Sequence, residues 1–307
     1  MGAETFLKTQ QVADALGVSV STVKRWVDAG AIQATRTMGK HRLVALSSAI
    51  QFARQEKYPV DSLLAIHPSP TGPFIDEILI DRFLGALKQG RSREVSEIVA
   101  QVCETKLGAV GLADQLIRPA MEKIGHGWML GSWDIYEEHQ ASLMVAGAII
   151  DRIRRLTSSG YDSKHPLAIG ASPAGDPYLL PGLLGELVLS EQGWNVKNLS
   201  NNLPLRSLAR ATRQYHPRIV FLSASLIADR EAFVRDYAYF YEAASQVGAA
   251  IILGGRGLDL ELRANLVYAS FGERMAHLAE FARRLQPDAE AILGAQTIPN
   301  DPMNSLS

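Results

Sequence analysis

Beyond His165 the chain alternates short apolar runs with longer helical stretches, and nothing else in it constrains the fold as tightly. The apolar runs occupy 167–171, 194–199, 218–223 and 249–253, with a fifth near 267. Helical segments are centred on 183–189, follow Pro204, and span 229–246 and 273–285. Strands separated by a helix cannot close a tight hairpin, so they pair in parallel through crossovers and are covered on both faces. The expected body over 165–286 is a doubly wound, five-stranded parallel sheet, whose ligands sit beyond the carboxyl ends of the strands. The loops to inspect are therefore 172–182, 223–227 and 254–258.

Four helical stretches precede the sheet. The first covers 74–87 and closes at Gly90; Ser92 caps the second, which closes at Gly108. The third covers 112–124 with an interruption at Pro119, and the fourth covers 134–156. A four-helix bundle over 74–160 is the simplest packing for them. Four prolines between 59 and 73 mark a linker in which 60–64 forms a turn, and residues 287–307 form a polar tail.

The first 58 residues carry eight Lys/Arg against four Asp/Glu, although the whole chain has a net charge of −1. Val12, Ala13 and Leu16 share one face of a first helix that Gly17 ends. Ser19 then caps a second helix over 20–29 whose Val23, Trp26 and Val27 face inward. Ser21, Thr22, Lys24 and Arg25 lie on its outer face, suited to a major groove. Residues 32–43 follow as a hairpin with Gly39 at its tip and cations beside it. This is the pattern of a winged helix-turn-helix over 1–58; a small helical interaction module is the other reading.

Between the third and fourth helices stand Trp128, Met129, Trp133, Glu138 and His139. From composition alone both tryptophans can be core and Glu138–His139 a paired surface couple; equally, the group can cover a ligand. A single cysteine, Cys103, excludes an internal disulfide and a multi-cysteine metal site. No nucleophile–base constellation or P-loop is present, so an enzyme is not expected. The longest apolar run, 143–150, is eight residues, and no basic, apolar leader opens the chain. A cytoplasmic protein without a membrane partner is expected.

The run 18–30 together with Gly39-Lys40-His41-Arg42 resembles the winged helix-turn-helix of MerR-family transcription regulators. That resemblance implies contact with double-stranded operator DNA through Thr9, Ser21, Thr22, Lys24, Arg25, Arg36, Lys40, His41 and Arg42. Trp128, nine residues, then Glu138-His139 resembles the W-x9-E-H motif in the helical cap of CarH-like cobalamin-sensing regulators. There the Trp and the Glu-His pair lie over the upper face of the corrin, and Met129 stands where some members carry a histidine. The later loops resemble the cobalamin-binding Rossmann-like fold. Ser223-Ala224-Ser225-Leu226 and Gly254-Gly255 match residues that shape the slot for the cofactor's displaced nucleotide tail. The first loop departs from that pattern, because Asp176-Pro177-Tyr178 puts a tyrosine where the lower axial histidine belongs. A phenol is a poor cobalt ligand unless deprotonated.

The resemblance implies a light-responsive repressor that binds adenosylcobalamin and works as a homo-oligomer, dimer or tetramer. Two alternatives follow from Tyr178. Haem or another tetrapyrrole can occupy the site with Tyr178 as metal ligand, since tyrosinate ligates haem iron; or the domain holds no cofactor.

Overall fold

The computed structural model describes residues 6–36, 42–58, 60, 63, 74–158, 160, 162 and 164–286. In the head, α1 (Thr9–Leu16) and α2 (Val20–Asp28) form the helix pair. Gly17 takes a positive φ of 67° and turns the chain between them, a conformation that costs glycine least. Ser19 Oγ accepts the Thr22 N–H at 3.1 Å, the expected cap, and α2 stops one residue short of the expected end. The wing is a three-stranded antiparallel sheet in the order β1-β3-β2, made of β1 (Phe6–Lys8), β2 (Ala34–Arg36) and β3 (Arg42–Ala45). Its tip, with Lys40 and His41, lies outside the described residues, as does the Arg36 side chain. A third helix, α3 (Leu46–Gln55), closes the head core with Leu46, Ala49, Ile50 and Ala53. The Trp26 ring meets Phe52 at 4.7 Å and Tyr58 at 5.4 Å, which pins α2 onto α3.

The bundle comprises α4 (Glu77–Lys88), α5 (Ser92–Cys103), a long helical run and α8 (Ile135–Leu156). The first helix starts at Glu77 rather than at 74, because the Asp76 carboxylate caps it by accepting the Leu79 N–H. The long run joins α6 (Gly108–Gly111), a π-helical segment Leu112–Ile117 and α7 (Arg118–Met129). It corrects two expectations. Pro119 does not interrupt the helix: it sits in the first turn of α7, directly after the π segment. The wider π turn changes the hydrogen-bond register there, which removes the clash a proline makes inside a regular α-helix. The helix therefore continues past 124, and Trp128 and Met129 are helical residues at its end, not loop residues.

The C-terminal body has the strand order β5-β4-β6-β7-β8, all parallel. Its strands are β4 (Leu167–Ala171), β5 (Asn195–Asn198), β6 (Ile219–Ser223), β7 (Ala250–Gly254) and β8 (Ser270–Gly272). Its helices are α9 (Leu180–Glu191), α10 (Leu205–Tyr215), α11 (Arg230–Val247), α12 (Leu260–Arg263) and α13 (Met275–Leu285). The fifth strand falls at 270–272 instead of near 267, because pairing with β7 begins at Ser270 opposite Ile252. Leu266 instead drops into the core beside α12, and the Val267 carbonyl accepts the Tyr237 hydroxyl. The order reverses between β4 and β6, so the loops after those two strands flank the crevice where such sheets take ligands.

α9 lies between bundle and sheet. Leu183, Leu184, Leu187 and Val188 belong to the bundle core, while Leu189 joins the core between sheet and α13. Gly185 and Gly170 face the Phe221 ring so closely that a Cβ would stand 2.7 and 1.9 Å from its carbons. Replacing Gly170 by alanine is expected to destabilise the protein by about 1–3 kcal/mol through overpacking. Gly147→Ala, on the open face of α8, is expected to stabilise it by about 0.5–1 kcal/mol. Urea midpoints of the two variants check this contrast, and equal shifts would show that Phe221 has room to move.

Candidate functional site

On the head, Ser21, Lys24 and Arg25 are exposed along α2, as an interface with nucleic acid requires. The Ser21 and Thr22 hydroxyls lie 2.7 and 2.8 Å from Ser19 Oγ, so both take part in the helix cap. Thr9 is half-buried at the first position of α1. Arg42 is engaged already: its Nη2 donates to both oxygens of Asp28 at 2.7 and 2.9 Å. The pair braces the wing against the end of α2. Sequence reading placed Arg42 on the DNA and missed Asp28 because the partners are 14 residues apart. Below the head, Arg54 of α3 pairs with Asp81 of α4 at 2.7 Å, and Lys123 of α7 reaches Asp81 at 3.6 Å and also pairs with Glu77. Burial pulls the Lys123 ammonium down, but these two carboxylates outweigh it and hold its pKa above the ordinary lysine value.

On the bundle, Trp128 is 51% exposed and Met129 69% exposed at the end of α7, and Ile135 and Tyr136 are exposed at the start of α8. The core reading therefore fails for Trp128 and holds for Trp133. The latter packs on the bundle core, lies over Gly127 where a Cβ would meet it at 2.5 Å, and carries the Lys88 ammonium 5.1 Å above its ring. Glu138 and His139 stand side by side on α8 with His139 Nε2 3.5 Å from a Glu138 oxygen, and Glu138 also accepts the Ser142 hydroxyl at 3.2 Å. The outer face of α8 carries an open groove of about 630 Å³ lined by Tyr136, His139, Gln140, Leu143, Met144 and Gly147. Cys103 is buried, and burial pushes its thiol up to about 11, which rules it out as a ready thiolate ligand.

At the carboxyl end of the sheet, Asp176 is 0% exposed. Its carboxylate accepts the N–H groups of Tyr178 at 3.0 Å, Ser225 at 2.6 Å and Leu226 at 3.2 Å. One side chain thus ties the loop after β4 to the loop after β6 across the crevice. Ser223 ends β6 opposite Gly254 in register. Gly255 takes a φ of 104°, and a Cβ there would lie 2.4 Å from the Ala224 carbonyl oxygen. The Gly254-Gly255 pair therefore lets two loops close on each other. Tyr178 is 42% exposed; Arg256 Nη2 donates to its phenol oxygen at 3.1 Å, with the guanidinium 5.3 Å from its ring centre. Sequence reading passed over Arg256, 78 residues from Tyr178, although a cation beside the glycines was visible. Among the described residues no hydrogen bond, ion pair or ring contact joins Trp128, Glu138 or His139 to this loop group.

These residues can be tested against a cobalamin. The exposed Trp128 and the Glu138–His139 pair suit the face of a flat ring. A displaced nucleotide tail does not fit: passing Ser223 and Gly254 it would enter between sheet and α9, where the Phe221 ring, 4% exposed, packs on Gly170 and Gly185. Nearby on α9, burial raises the Glu186 carboxyl above its ordinary pKa, against the pull of the Asn198 amide that donates to it at 3.0 Å.

Removing the carboxylate in Asp176→Ala leaves three N–H groups without their acceptor and is expected to cost about 2–4 kcal/mol. Asp176→Asn recovers part of this, since an amide oxygen still accepts. Denaturant unfolding of both variants reads the difference, and an alanine variant as stable as the parent would show that water replaces the clamp.

Comparison with known proteins agrees with this architecture. Residues 6–56 match the helix-turn-helix domain family, and residues 79–150 match the B12 binding domain family. A search of curated proteins gives no match. Among solved structures, the chain is similar to the monomethylamine corrinoid protein of Methanosarcina barkeri, with a TM-score of 0.55 at 12% identity over 69% of this chain and 100% of that one. A cobalamin-binding protein from Desulfitobacterium hafniense DCB-2 aligns with a TM-score of 0.37 at 16% identity, over 69% of this chain and 100% of that one. The methanol:cobalamin methyltransferase complex MtaBC of Methanosarcina barkeri aligns with a TM-score of 0.36 at 15% identity, over 79% of this chain and 96% of that one. The chain thus joins a helix-turn-helix domain to a helical region and parallel sheet that share the fold of a corrinoid protein.

Proposed function

We propose that this chain is a MerR-type transcription regulator that binds double-stranded operator DNA and senses a tetrapyrrole of the corrin class. Its parts are a winged head over 1–58, a linker over 59–73, a helical cap over 74–160 and a sensor sheet over 165–286. The observation that carries the reading is Trp128: a large aromatic ring left exposed at the end of α7, with the Glu138–His139 pair near the start of α8, on a bundle whose sequence matches a B12 binding domain and that follows a helix-turn-helix. Lys24 and Arg25 supply phosphate contacts from α2, and Arg42 acts by holding the wing in place through Asp28.

A head with so small a positive excess binds DNA weakly by itself, and assembly into a homo-oligomer multiplies its occupancy through effective concentration. A ligand that changes assembly then changes repression. The light-responsive form of this reading, with adenosylcobalamin as the ligand, is carried by the Trp128-x9-Glu138-His139 spacing. A second reading, a regulator without cofactor, is favoured by the Asp176 clamp and the Phe221 packing that close the crevice.

Two experiments test the proposal. Arg25→Ala is expected to weaken operator binding and to make the slope of log K against log salt shallower by about 1. Fluorescence anisotropy over a salt series measures both, and an unchanged slope would place α2 away from the DNA. Full-length protein is next mixed in the dark with adenosylcobalamin, adenosylcobinamide or haemin, gel-filtered, and its spectrum and elution volume recorded before and after green light. At least one ligand is expected to co-elute with the protein and to be lost or spectrally altered in Trp128→Ala. Colourless protein from every mixture supports the cofactor-free reading instead.

A further inference from the structure

Resting on the homo-oligomer reading above, which names no surface, we infer that the outer face of α8 is where two copies of this chain meet. The two helices pair antiparallel about a two-fold axis near residue 145. The first support is the pattern of exposure. Tyr136, Gln140, Leu143, Gly147, Asp151 and Arg154 are exposed at steps of three or four residues along α8. That spacing makes one stripe, on the side away from Val145 and Ile149, which enter the bundle core. Leu143 is 70% exposed and Tyr136 67%. Single apolar side chains on a surface are ordinary, but these two line the open groove of α8, whose lining also includes Ser92 and Ser96 of α5. The small side chains of α5 leave room for the ridge of a second helix.

The second support is that the stripe complements itself. In an antiparallel pair centred at 145, each residue faces the one equally far beyond the centre on the other helix. Leu143 then meets Gly147 of the second copy, and the reverse contact repeats it. A Cβ on Gly147 would touch nothing beyond its own stretch of helix within 4 Å, so the space for that leucine is open. Tyr136 and Arg154 stand five helical turns apart at about 3.6 residues per turn, so they point the same way and meet across the axis, guanidinium on ring. The two-fold axis keeps each flank of the stripe on its own side, which brings Gln140 beside Asp151 of the second copy. The third support is charge. α8 carries Glu137 and Glu138 in its first turn and Arg154 and Arg155 in its last. Antiparallel pairing sets each acidic end against a basic one and opposes the helix dipoles, whereas parallel pairing stacks like on like. A second copy already carries the leucine, the space for it and both charges. Such a contact is isologous, so it uses the stripe completely and stops at two copies.

The test uses the full-length protein without ligand. Light scattering after gel filtration, over a dilution series, is expected to show a dimer that gives way to monomer. Leu143→Glu places two carboxylates near the centre of the pair and is expected to raise the dissociation constant at least about tenfold. Because Leu143 is exposed, this variant is expected to keep the parent's circular dichroism and urea midpoint. Disulfide trapping reads the direction of pairing. Chains carrying Tyr136→Cys are mixed with chains carrying Arg154→Cys and oxidised; the native Cys103 is buried and does not compete. The mixture is expected to cross-link. Tyr136→Cys alone is not, since in this register its two copies lie about 27 Å apart along the helix axes. Cross-linking of Tyr136→Cys with itself overturns the antiparallel register. A dimer unaltered by Leu143→Glu, with no cross-link in the mixture, overturns the α8 surface and leaves the homo-oligomer reading standing. Monomer at every concentration also overturns this inference, and the elution volume with ligand, measured as above, then decides the homo-oligomer reading separately.

Discussion

The structure depends on one helix that is apolar on nearly every side, Glu186 being the exception within its buried stretch. Most of the residues of α9 from Gly182 to Leu189 are buried, with no polar stripe to meet water, so the helix is stable only between two apolar surfaces. The bundle provides one of them, through Leu183, Leu184, Leu187 and Val188, and the sheet provides the other. Each leucine buried this way contributes about 1.5–3 kcal/mol, so bundle and sheet cannot part without exposing a large share of their common core. That arrangement also fixes the approach to the site. Pro181 starts the helix where its missing N–H is harmless, Leu179 and Leu180 anchor the preceding loop on the bundle, and Tyr178 is left at the seam.

Polar interactions then tighten what the apolar core positions. The buried carboxylate of Asp176 is tolerable because three backbone donors satisfy it, and by spanning two loops it converts a possible cleft into a closed junction. The close backbone contact at Gly255 has the same effect from the other side. Outside this junction Tyr178 stays part-exposed at the sheet, and Trp128 and Met129 stay exposed on the bundle.

Most of the fold was legible because it rests on periodicity. The alternation after His165 implied parallel pairing, and the strand order found is one that crossover connections allow. The errors arose where periodicity carries no information. The π segment before Pro119 reads in sequence like any helix broken by proline, and β1, three residues long, is too short to show a period. Trp128 and Trp133 are alike in sequence; one ends up exposed because it falls on the last turn of α7, and the other covers Gly127. Of the site, the cap motif and the glycine pair could be read locally. Two of the three partners of Asp176, Ser225 and Leu226, lie 49 and 50 residues away, and Phe221 has the signature of an ordinary strand residue. Its role depends on two glycines brought opposite it by different elements.

Asp81 has a consequence for how the molecule meets DNA. This one carboxylate receives Arg54 from the head and Lys123 from α7, the helix whose last turn carries Trp128. The head is therefore held against α4 and α7 through partly exposed ion pairs. Such pairs are worth about 1 kcal/mol or less, comparable to thermal energy. The joint behaves as a detent, not a weld: it favours one angle, yet yields to a modest torque. In the homo-oligomer proposed above, two heads on a two-fold operator would present their helices about 34 Å apart, so the angle held at each joint would bear on whether both reach the groove.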